Sequence, residues 1–319
     1  MTEFTAQPLA PGSISLRLYP HDLAPHEQVD ELRTQACLGA EAGYDGVMVS
    51  EHHAGFPGYL PNPIQLTQLL LAAMPRGWVA PCPLLLALQP YALIAEQLAW
   101  LAAAYPDRVG AGFAAGALPV DFDLAEVPFD EINDRFKAAL PRIVGALRGH
   151  DETPLGRDRA IIRCAQHPVP MVVASQSGPA VRRAAGLGAG VLYDSLQTTE
   201  VSKRLSDAYD QADGQAAKIL IRRVWIGEPP TEEMAAQMAH YRSYAPTHAL
   251  ANWGSGDQLI HGATGRDAAD ALARTLRESN CDTVNIRVHL KGISPTQVRD
   301  QIALHGSDLL PRLRALLAA

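Results

Sequence analysis

Short apolar segments and amphipathic segments alternate along the whole chain, in eight successive pairs within 319 residues. The first pair is residues 14–19 and 26–42, and the last pair is residues 283–288 and 295–317. Strands that alternate with helices are typical of a parallel sheet. Eight such units in a chain of this length fit an α/β fold of the closed (β/α)8 TIM-barrel type better than an open doubly wound sheet.

Two stretches without a hydrophobic period, residues 150–165 and 245–262, interrupt this alternation. We interpret both as insertions on the barrel and expect insertions at its C-terminal face, where such barrels bind ligands. The second stretch contains Gly254 and Gly256 and is long for a loop, so we expect a mobile lid. Because no linker or low-complexity tract is visible, residues 1–319 are predicted to form a single domain.

Charge and cysteine usage exclude several classes of protein. The formal net charge is −7, which argues against a general nucleic-acid binder. The four cysteines form no CxxC pair, which argues against zinc and for a reducing compartment. Residues 1–12 lack the features of a secretory signal, and no apolar run approaches the ~18 residues of a membrane span. We therefore expect a cytoplasmic protein with no membrane partner.

A buried strand, residues 46–49, is followed at once by Glu51, His52 and His53. The carboxyl ends of parallel strands are where α/β folds bind ligands. These histidines are either loop residues with backbone partners, or one of them transfers a proton near neutral pH. Adjacent histidines on an extended segment point to opposite sides and chelate a metal poorly, so no metal site is predicted.

Two further turns follow predicted strands. Gly110 and Gly112 end one strand without the GxGxxG spacing of a dinucleotide site, so they either relieve crowding or admit a flat ligand. Ser175-Gln176-Ser177-Gly178-Pro179 joins a strand to a helix, and Arg182 lies one turn inside that helix. This turn is either an ordinary capped connection or an anion site at a helix N-terminus.

Taken together, these residues resemble the bacterial luciferase family of flavin-dependent monooxygenases (luciferase-like monooxygenases). The segments that carry the resemblance are Ala42-Gly43-Tyr44-Asp45-Gly46 with Glu51-His52-His53 and Asn62-Pro63, Gln89-Pro90 with Ala95-Glu96-Gln97, Asp107-Arg108-Val109-Gly110-Ala111-Gly112, and residues 169–188 and 281–313. The resemblance covers nearly the whole chain.

The resemblance implies a barrel that takes up reduced FMN and O2 and oxygenates a small organic substrate through a C4a-peroxyflavin. It assigns the catalytic role to His52. It also implies a cis peptide at the end of the third strand, which in the family is a non-prolyl bond and here falls near Pro81-Cys82. Here the neighbouring bonds Ala80-Pro81 and Cys82-Pro83 are less costly sites for it. Because no nicotinamide fingerprint is present, a separate flavin reductase is the expected source of reduced FMN. We also expect a homodimer.

The expected site residues fall into two groups. The cofactor-binding group is Glu51, Pro81, Cys82, Ala114, Ala174, Gln176, Ser177, Gly178 and Arg182. The substrate-lining group is Leu18, Phe56, Tyr59 and Trp253. An aldehyde, a ketone or an aromatic polyketide would all suit such walls.

The chain departs from the family pattern at three positions. Ala114 and Ala115 stand where luciferases carry a cysteine and an arginine, and Ser175 stands where they carry a glutamate. The Ser177-Gly178-Pro179 turn also resembles relatives that transfer hydride with the deazaflavin F420. Two alternatives therefore stay open, namely an F420-dependent oxidoreductase and a non-catalytic flavin-binding protein.

Overall fold

The computed structural model describes residues 6–245, 247–254, 256 and 258–318. The strands are β1 (Ile14–Arg17), β2 (Gly46–Val49), β3 (Trp78–Pro81), β4 (Leu84–Leu85), β5 (Ala111–Ala114), β6 (Met171–Ala174), β7 (Gly190–Tyr193), β8 (Lys218–Ile226), β9 (Ile260–Gly262) and β10 (Thr283–Arg287). The helices are α1 (Pro25–Ala42), α2 (Pro63–Ala73), α3 (Tyr91–Ala104), α4 (Pro119–Leu124), α5 (Ile132–Ala146), α6 (Arg159–Arg163), α7 (Gly178–Gly186), α8 (Thr199–Asp210), α9 (Thr231–Tyr244), α10 (Thr247–Leu250), α11 (Gly265–Glu278), α12 (Pro295–Leu304) and α13 (Leu310–Leu317).

The strands form one parallel sheet in the order β3-β2-β1-β10-β8-β7-β6-β5-β4, with β9 beside β8. β3 and β4 are successive parts of one barrel strand, separated by the cis peptide Cys82-Pro83. The Val79 amide donates to the Arg108 carbonyl, and the Gly110 amide donates to the Val79 carbonyl, which joins the two ends of the sheet. The sheet is thus a nearly closed barrel, and the predicted α/β TIM-barrel fold is confirmed.

Local sequence signals explain where several helices begin and end. The Asn62 side chain accepts a hydrogen bond from the Gln65 amide, and Pro63 occupies the first turn of α2. Helix α1 ends at Gly43, whose φ of 104° is left-handed and therefore suits glycine. The predicted C-terminal helix is interrupted by a π-helical turn, His305–Leu309, between α12 and α13.

Alternation along the strands separates two cores. Ile14, Leu16 and their counterparts pack outward against the helices. A smaller interior cluster comprises Leu9, Met48, Trp78, Ala80, Cys82, Val172, Leu192, Ala217, Ile219 and Ile221. Glycine is needed inside the barrel, because a Cβ on Gly46 would lie 2.1 Å from the Trp78 ring and one on Gly112 would lie 2.1 Å from Cys82 Sγ. Of the two interpretations of Gly112, this contact supports relief of crowding.

The connections are more structured than the sequence indicated. Residues 150–165 contain a 3-10 turn and α6, and the Asp158 carboxylate caps α6 by accepting from the Ala160 and Ile161 amides. This insertion follows α5 and packs on α3 at the outside of the barrel, and not over the carboxyl ends of the strands. The insertion after β8 contains α9, α10 and β9. In the described part of the chain, no helix is long and apolar enough to cross a membrane.

Candidate active site

The carboxyl ends of the barrel strands surround a mouth to which β2 delivers Glu51, His52 and His53. Glu51 is buried and both of its carboxylate oxygens are bonded within the protein. Oε2 accepts from the Leu85 amide at 2.6 Å, and Oε1 lies 3.0 Å from His53 Nε2. Glu51 therefore connects β2 to β4 and orients His53. It is a positioning residue, and both of its carboxylate oxygens are occupied, so it is not a direct cofactor ligand.

His52 is held by Asp121, a residue that the sequence reasoning missed. His52 Nδ1 lies 2.8 Å from Asp121 Oδ2, and the Asp121 side chain is fully buried. An ionised carboxylate only accepts, so Nδ1 carries the proton and donates it. The other ring nitrogen, Nε2, is then available for chemistry. Asp121 lies on α4, a helix of six residues.

His53 makes a different set of contacts. Its ring pairs with Glu51, and its backbone amide donates to Asp121 Oδ1 at 2.8 Å. The hydrogen bond to Glu51 raises the pKa of His53, burial opposes this, and the charges of Glu51 and Asp121 raise it further. The two imidazole rings thus have separate partners, as expected for neighbours on an extended segment.

Aromatic side chains line one side of the mouth. The His52 ring lies 4.4 Å from the Tyr59 ring and 4.9 Å from the Phe56 ring. Tyr59 also contacts Tyr19 edge to face at 5.3 Å, and Phe56 contacts Tyr244 of α9 at 5.3 Å. The predicted substrate residues Phe56 and Tyr59 therefore lie together beside His52.

The other two predicted substrate residues have no described ring contact with His52. Leu18 belongs to the outward-facing core with Leu16, because side chains alternate along an extended strand. Leu18 therefore does not line the substrate site, and the next residue, Tyr19, reaches the mouth. Trp253 lies at the end of β7, where its Nε1 donates to Asp194 Oδ2 at 3.1 Å.

The predicted lid, residues 245–262, lies partly outside the described residues, since 246, 255 and 257 belong to it. In its described part, Trp253 bridges to Gln197, and the Asn252 carbonyl accepts from the Thr198 amide. These bonds attach residues 252–253 to the connection after β7. The mobility of the whole segment stays a prediction.

Helix α7 begins at the opposite side of the mouth. Its N-cap, Ser177, is exposed, and no side chain caps the first amides. A Cβ on Gly178 would lie 3.1 Å from Arg182 Nη1, so the guanidinium borders the same position. Uncapped amides, a hydroxyl and a guanidinium are the donor set that a phosphate requires.

The remaining predicted cofactor residues lie at the ends of neighbouring strands. Ala114 ends β5 and Ala174 ends β6, and both are half-buried. Gln176 is exposed in the turn before α7. Pro81 and Cys82 are fully enclosed at the end of β3, and burial raises the pKa of the Cys82 thiol to about 11. Cys82 would therefore contribute shape and not a thiolate.

Among the described residues, no group of three or more histidine, cysteine or acidic side chains is placed to hold a metal ion.

A sequence model of the family described as luciferase-like monooxygenase matches residues 11–307. The chain belongs to this family. Membership indicates an oxidoreductase. No curated protein matches this luciferase-like monooxygenase in sequence.

Solved structures show the same fold. Monooxygenase RslO1 from Streptomyces bottropensis is 20% identical with a TM-score of 0.74, over 94% of this chain and 99% of that chain. The oxygenating constituent of 3,6-diketocamphane monooxygenase from Pseudomonas putida, in complex with FMN, is 15% identical with a TM-score of 0.73, over 94% and 98%. An F420-dependent secondary alcohol dehydrogenase is 14% identical with a TM-score of 0.69, over 95% and 99%.

Besides Asp121, the sequence reasoning missed three buried arginines at the mouth, Arg17, Arg223 and Arg287. Each is a charged residue inside an apolar strand, at a position where alternation turns the side chain inward. A search of the predicted strands for inward charges would have found them. Asp121 had no comparable signal in the sequence, because α4 is too short to show a helical period.

Proposed function

We propose that this luciferase-like monooxygenase uses reduced FMN and O2 to oxygenate a small organic substrate, with His52 as its catalytic residue. The observation that carries the proposal is the His52–Asp121 pair at 2.8 Å. In this pair the half-buried imidazole has Nδ1 fixed as a donor, and Nε2 is left to accept or donate a proton at the mouth of the barrel.

The donor set at the start of α7 fits the phosphate of FMN. We assign the phosphate to the N-terminus of α7, where Gly178 and Ala180 carry backbone N–H groups and Pro179 has none, with Ser177 and Arg182 beside it. The small side chains Ala114 and Ala174 would leave room for a flat ring system over the neighbouring strand ends. Pro81, Cys82 and Gln176 complete the proposed cofactor site.

Reduced flavin, when bound, supplies the electrons that activate O2. The residues of the chain then supply proton control and exclusion of water. His52 Nε2 can accept a proton, or donate one when the ring is protonated, while Asp121 prevents the ring from rotating. Phe56, Tyr59 and Trp253 are proposed to surround the substrate and to keep water out.

The cofactor distinguishes this proposal from its alternative. One neighbour in structure is in complex with FMN, and another is an F420-dependent dehydrogenase. The Glu51-His52-His53 arrangement favours FMN, and the Ser177-Gly178-Pro179 turn leaves F420 open. We further propose that a separate flavin reductase delivers the reduced FMN and that the protein is a cytoplasmic homodimer.

The decisive experiment mixes the protein, loaded anaerobically with reduced FMN, with O2 and follows hydrogen peroxide release. Wild-type protein should release peroxide more slowly than free reduced FMN. His52→Ala should bind FMN equally well and release peroxide about 10²-fold faster, because a positioned acid–base group typically contributes at least that factor.

His26→Ala is the matched control, since His26 is an exposed histidine of α1, and it should behave as wild type. If reduced FMN reacts as it does free in solution while reduced F420 binds and transfers hydride, the F420 alternative replaces the proposal. If His52→Ala releases hydrogen peroxide as slowly as wild type does, the role proposed for His52 is wrong.

A further inference from the structure

Three arginines occupy the same level on three neighbouring strands. Arg17 of β1 pairs in register with Arg287 of β10, and Arg287 pairs with Arg223 of β8. Alternation turns all three inward, since Ile14 and Leu16 face the helices while Ile219 and Ile221 face the interior. Each is at most 3% exposed. The strands therefore bring three buried cations to one side of the mouth.

The described partners of Arg17 and Arg287 are neutral. Arg17 Nε donates to Asn285 Oδ1 at 2.6 Å, and its Nη1 donates to Ser50 Oγ at 3.1 Å. Arg287 Nη2 donates to the Tyr241 hydroxyl at 2.6 Å, and its guanidinium lies 4.3 Å over the Tyr19 ring. Among the described residues, no carboxylate lies at ion-pair distance from either arginine.

The acidic groups near the mouth are occupied elsewhere. Glu51 and Asp121 bond to the two histidines and to backbone amides. Asp194 accepts from the Leu196 amide at 2.9 Å and from Trp253 Nε1. Burial raises the pKa of Asp194, although these hydrogen bonds and the charges of Arg222 and Arg287 oppose it. The charges of Arg17 and Arg287 therefore lack a close counter-ion within the described chain.

The electrostatics around the arginines favour an anion. Burial lowers the pKa of Arg223 to about 9, and the charge of Arg287 contributes to this shift. Burial also acts to lower the pKa of Arg287, but Tyr19, Tyr241 and Tyr59 raise it overall. Burial would raise the pKa of Tyr19, but Arg287, Arg17, a hydrogen bond with Tyr59 and Arg223 lower it overall. A buried charge without a counter-ion is costly, which is why the charges of Arg17 and Arg287 are expected to pair with a ligand.

A buried polar atom lies beside this group. His289 is 5% exposed, its ring stacks 5.7 Å from the Tyr19 ring, and its Nδ1 has no hydrogen-bond partner among the described residues. Burial, followed by the charges of His21, Arg287 and Arg223, holds the pKa of His289 well below its usual range. A neutral imidazole with one unused nitrogen can form a hydrogen bond with a polar group that binds here.

We propose that Arg17 and Arg287 bind the carboxylate of the substrate, which is an organic acid with an apolar or aromatic body. This assignment rests on the proposed function and names the substrate class for the same site. A planar guanidinium matches a planar carboxylate, and the adjoining wall of Tyr19, Tyr59 and Phe56 suits a flat apolar body. The Tyr241 hydroxyl occupies one donor of Arg287, so binding displaces it.

The test compares matched acids and amides on flavin-free protein by calorimetry. The three pairs are benzoate and benzamide, 2-naphthoate and 2-naphthamide, and octanoate and octanamide. At least one acid should bind wild-type protein at least tenfold more tightly than its amide. Inorganic phosphate, which lacks the apolar body, should bind at least tenfold more weakly than that acid.

Two variants should change acid binding in opposite directions. Arg287→Gln should weaken it about 30-fold, because one charged hydrogen-bonding partner is lost. Tyr241→Phe should strengthen it several-fold, because the competing hydroxyl is gone. Arg266→Gln is the matched control, since Arg266 is an exposed arginine paired with Asp308, and it should bind the acid as wild type does.

Several results would overturn the assignment. The first is equal affinity for every acid and its amide. The second is an affinity for phosphate equal to that for the tightest acid. The third is an acid affinity that does not change in Arg287→Gln. A tyrosinate absorbance at neutral pH that disappears in Tyr19→Phe would also overturn it, because the arginines would then be neutralised within the chain. If the acids fail to bind as expected but reduced FMN reacts with O2 as proposed, only the acid site is refuted. If an acid binds as expected but reduced FMN reacts as it does free in solution, only the proposed function is refuted.

Discussion

Asp121 is bonded to two consecutive residues, through Oδ2 to the His52 ring and through Oδ1 to the His53 amide. A single carboxylate thus positions both the ring and the backbone that carries it. Positioning of this kind fixes the tautomer of an imidazole and its direction. Asp121 acts through His52, so its effect should be visible in the state of the His52 ring.

Asp121→Asn tests this role with a change of charge and almost none of volume. The amide can either accept from Nδ1 or donate to it, so the preference for a proton on Nδ1 should be lost. Ring ¹⁵N chemical shifts of His52 in a histidine-labelled protein measure this directly. We also expect a loss of stability of about 1–3 kcal/mol from the weakened buried bonds. Unchanged ¹⁵N shifts would show that another group sets the tautomer.

The Glu51–His53 pair predicts a pH dependence of stability. The pKa of His53 is raised by the bond to Glu51 in the folded protein, so folding favours the protonated ring. The stabilisation is complete below the unfolded pKa of histidine, about 6.5, and is lost as pH rises through the raised pKa. The difference in unfolding free energy between wild type and His53→Gln should be larger at pH 6 than at pH 9. We expect about 0.5–1 kcal/mol, because the pair is partly exposed and screened. A difference that grows with pH would contradict this sign.

At the scale of elements, the short helix α4 and the insertion helix α9 complete the mouth. Helix α4 brings Asp121, and α9 brings Gln237, Tyr241 and Tyr244 onto the arginines and the aromatic wall. Helix α7 contributes its N-terminus. Three elements with different roles therefore converge on the strand ends, and only α4 contacts the His52 ring directly among the contacts described above.

Gly178→Val should remove FMN binding while leaving the fold intact. Its Cβ would lie 3.1 Å from the end of the flexible Arg182 side chain, which can move, but the added methyl groups would fill the proposed phosphate position. We expect FMN affinity to fall at least tenfold, measured by flavin fluorescence, with a small change in melting temperature. Gly186→Ala, in the same helix with open space around the new Cβ, is the control. Equal FMN affinity in the two variants would sink the phosphate assignment.

At the scale of the whole molecule, the barrel interior couples distant strands. Gly112 of β5 lies against Cys82, which follows β3, and even a Cβ there would lie 3.1 Å from the Cys82 Cα. Gly112→Ala should therefore force the two strands apart and destabilise the protein by about 1–3 kcal/mol. Adding Cys82→Ala should restore part of that loss, a coupling that a double-mutant cycle measures.

The same denaturation experiments test the single-domain prediction. Fluorescence and circular dichroism should report one coincident transition for wild type and for each variant, because one closed sheet carries the whole core. Additive effects of Gly112→Ala and Cys82→Ala would contradict the contact. Separate transitions for the two probes would contradict a single domain.

The alternation of strands and helices, the cap at Asn62 and the stop at Gly43 were readable from the sequence, because they depend on neighbours a few residues apart. The position of Glu51, His52 and His53 at a strand end followed from the same local signals. The fold class and the part of the site formed by Glu51, His52 and His53 could therefore be predicted without knowledge of the tertiary contacts.

The rest of the site depends on contacts between distant parts of the chain. His52 and Asp121 are 69 residues apart, and Arg17 and Asn285 are 268 apart. No periodicity extends over such separations, and α4 and α6 are too short to show one. Closure of the barrel sets the register that aligns Arg17, Arg287 and Arg223, and alternation along β1 places Leu18 outside while Tyr19 enters the mouth. These outcomes follow from packing and strand register, which a local pattern of residues does not encode.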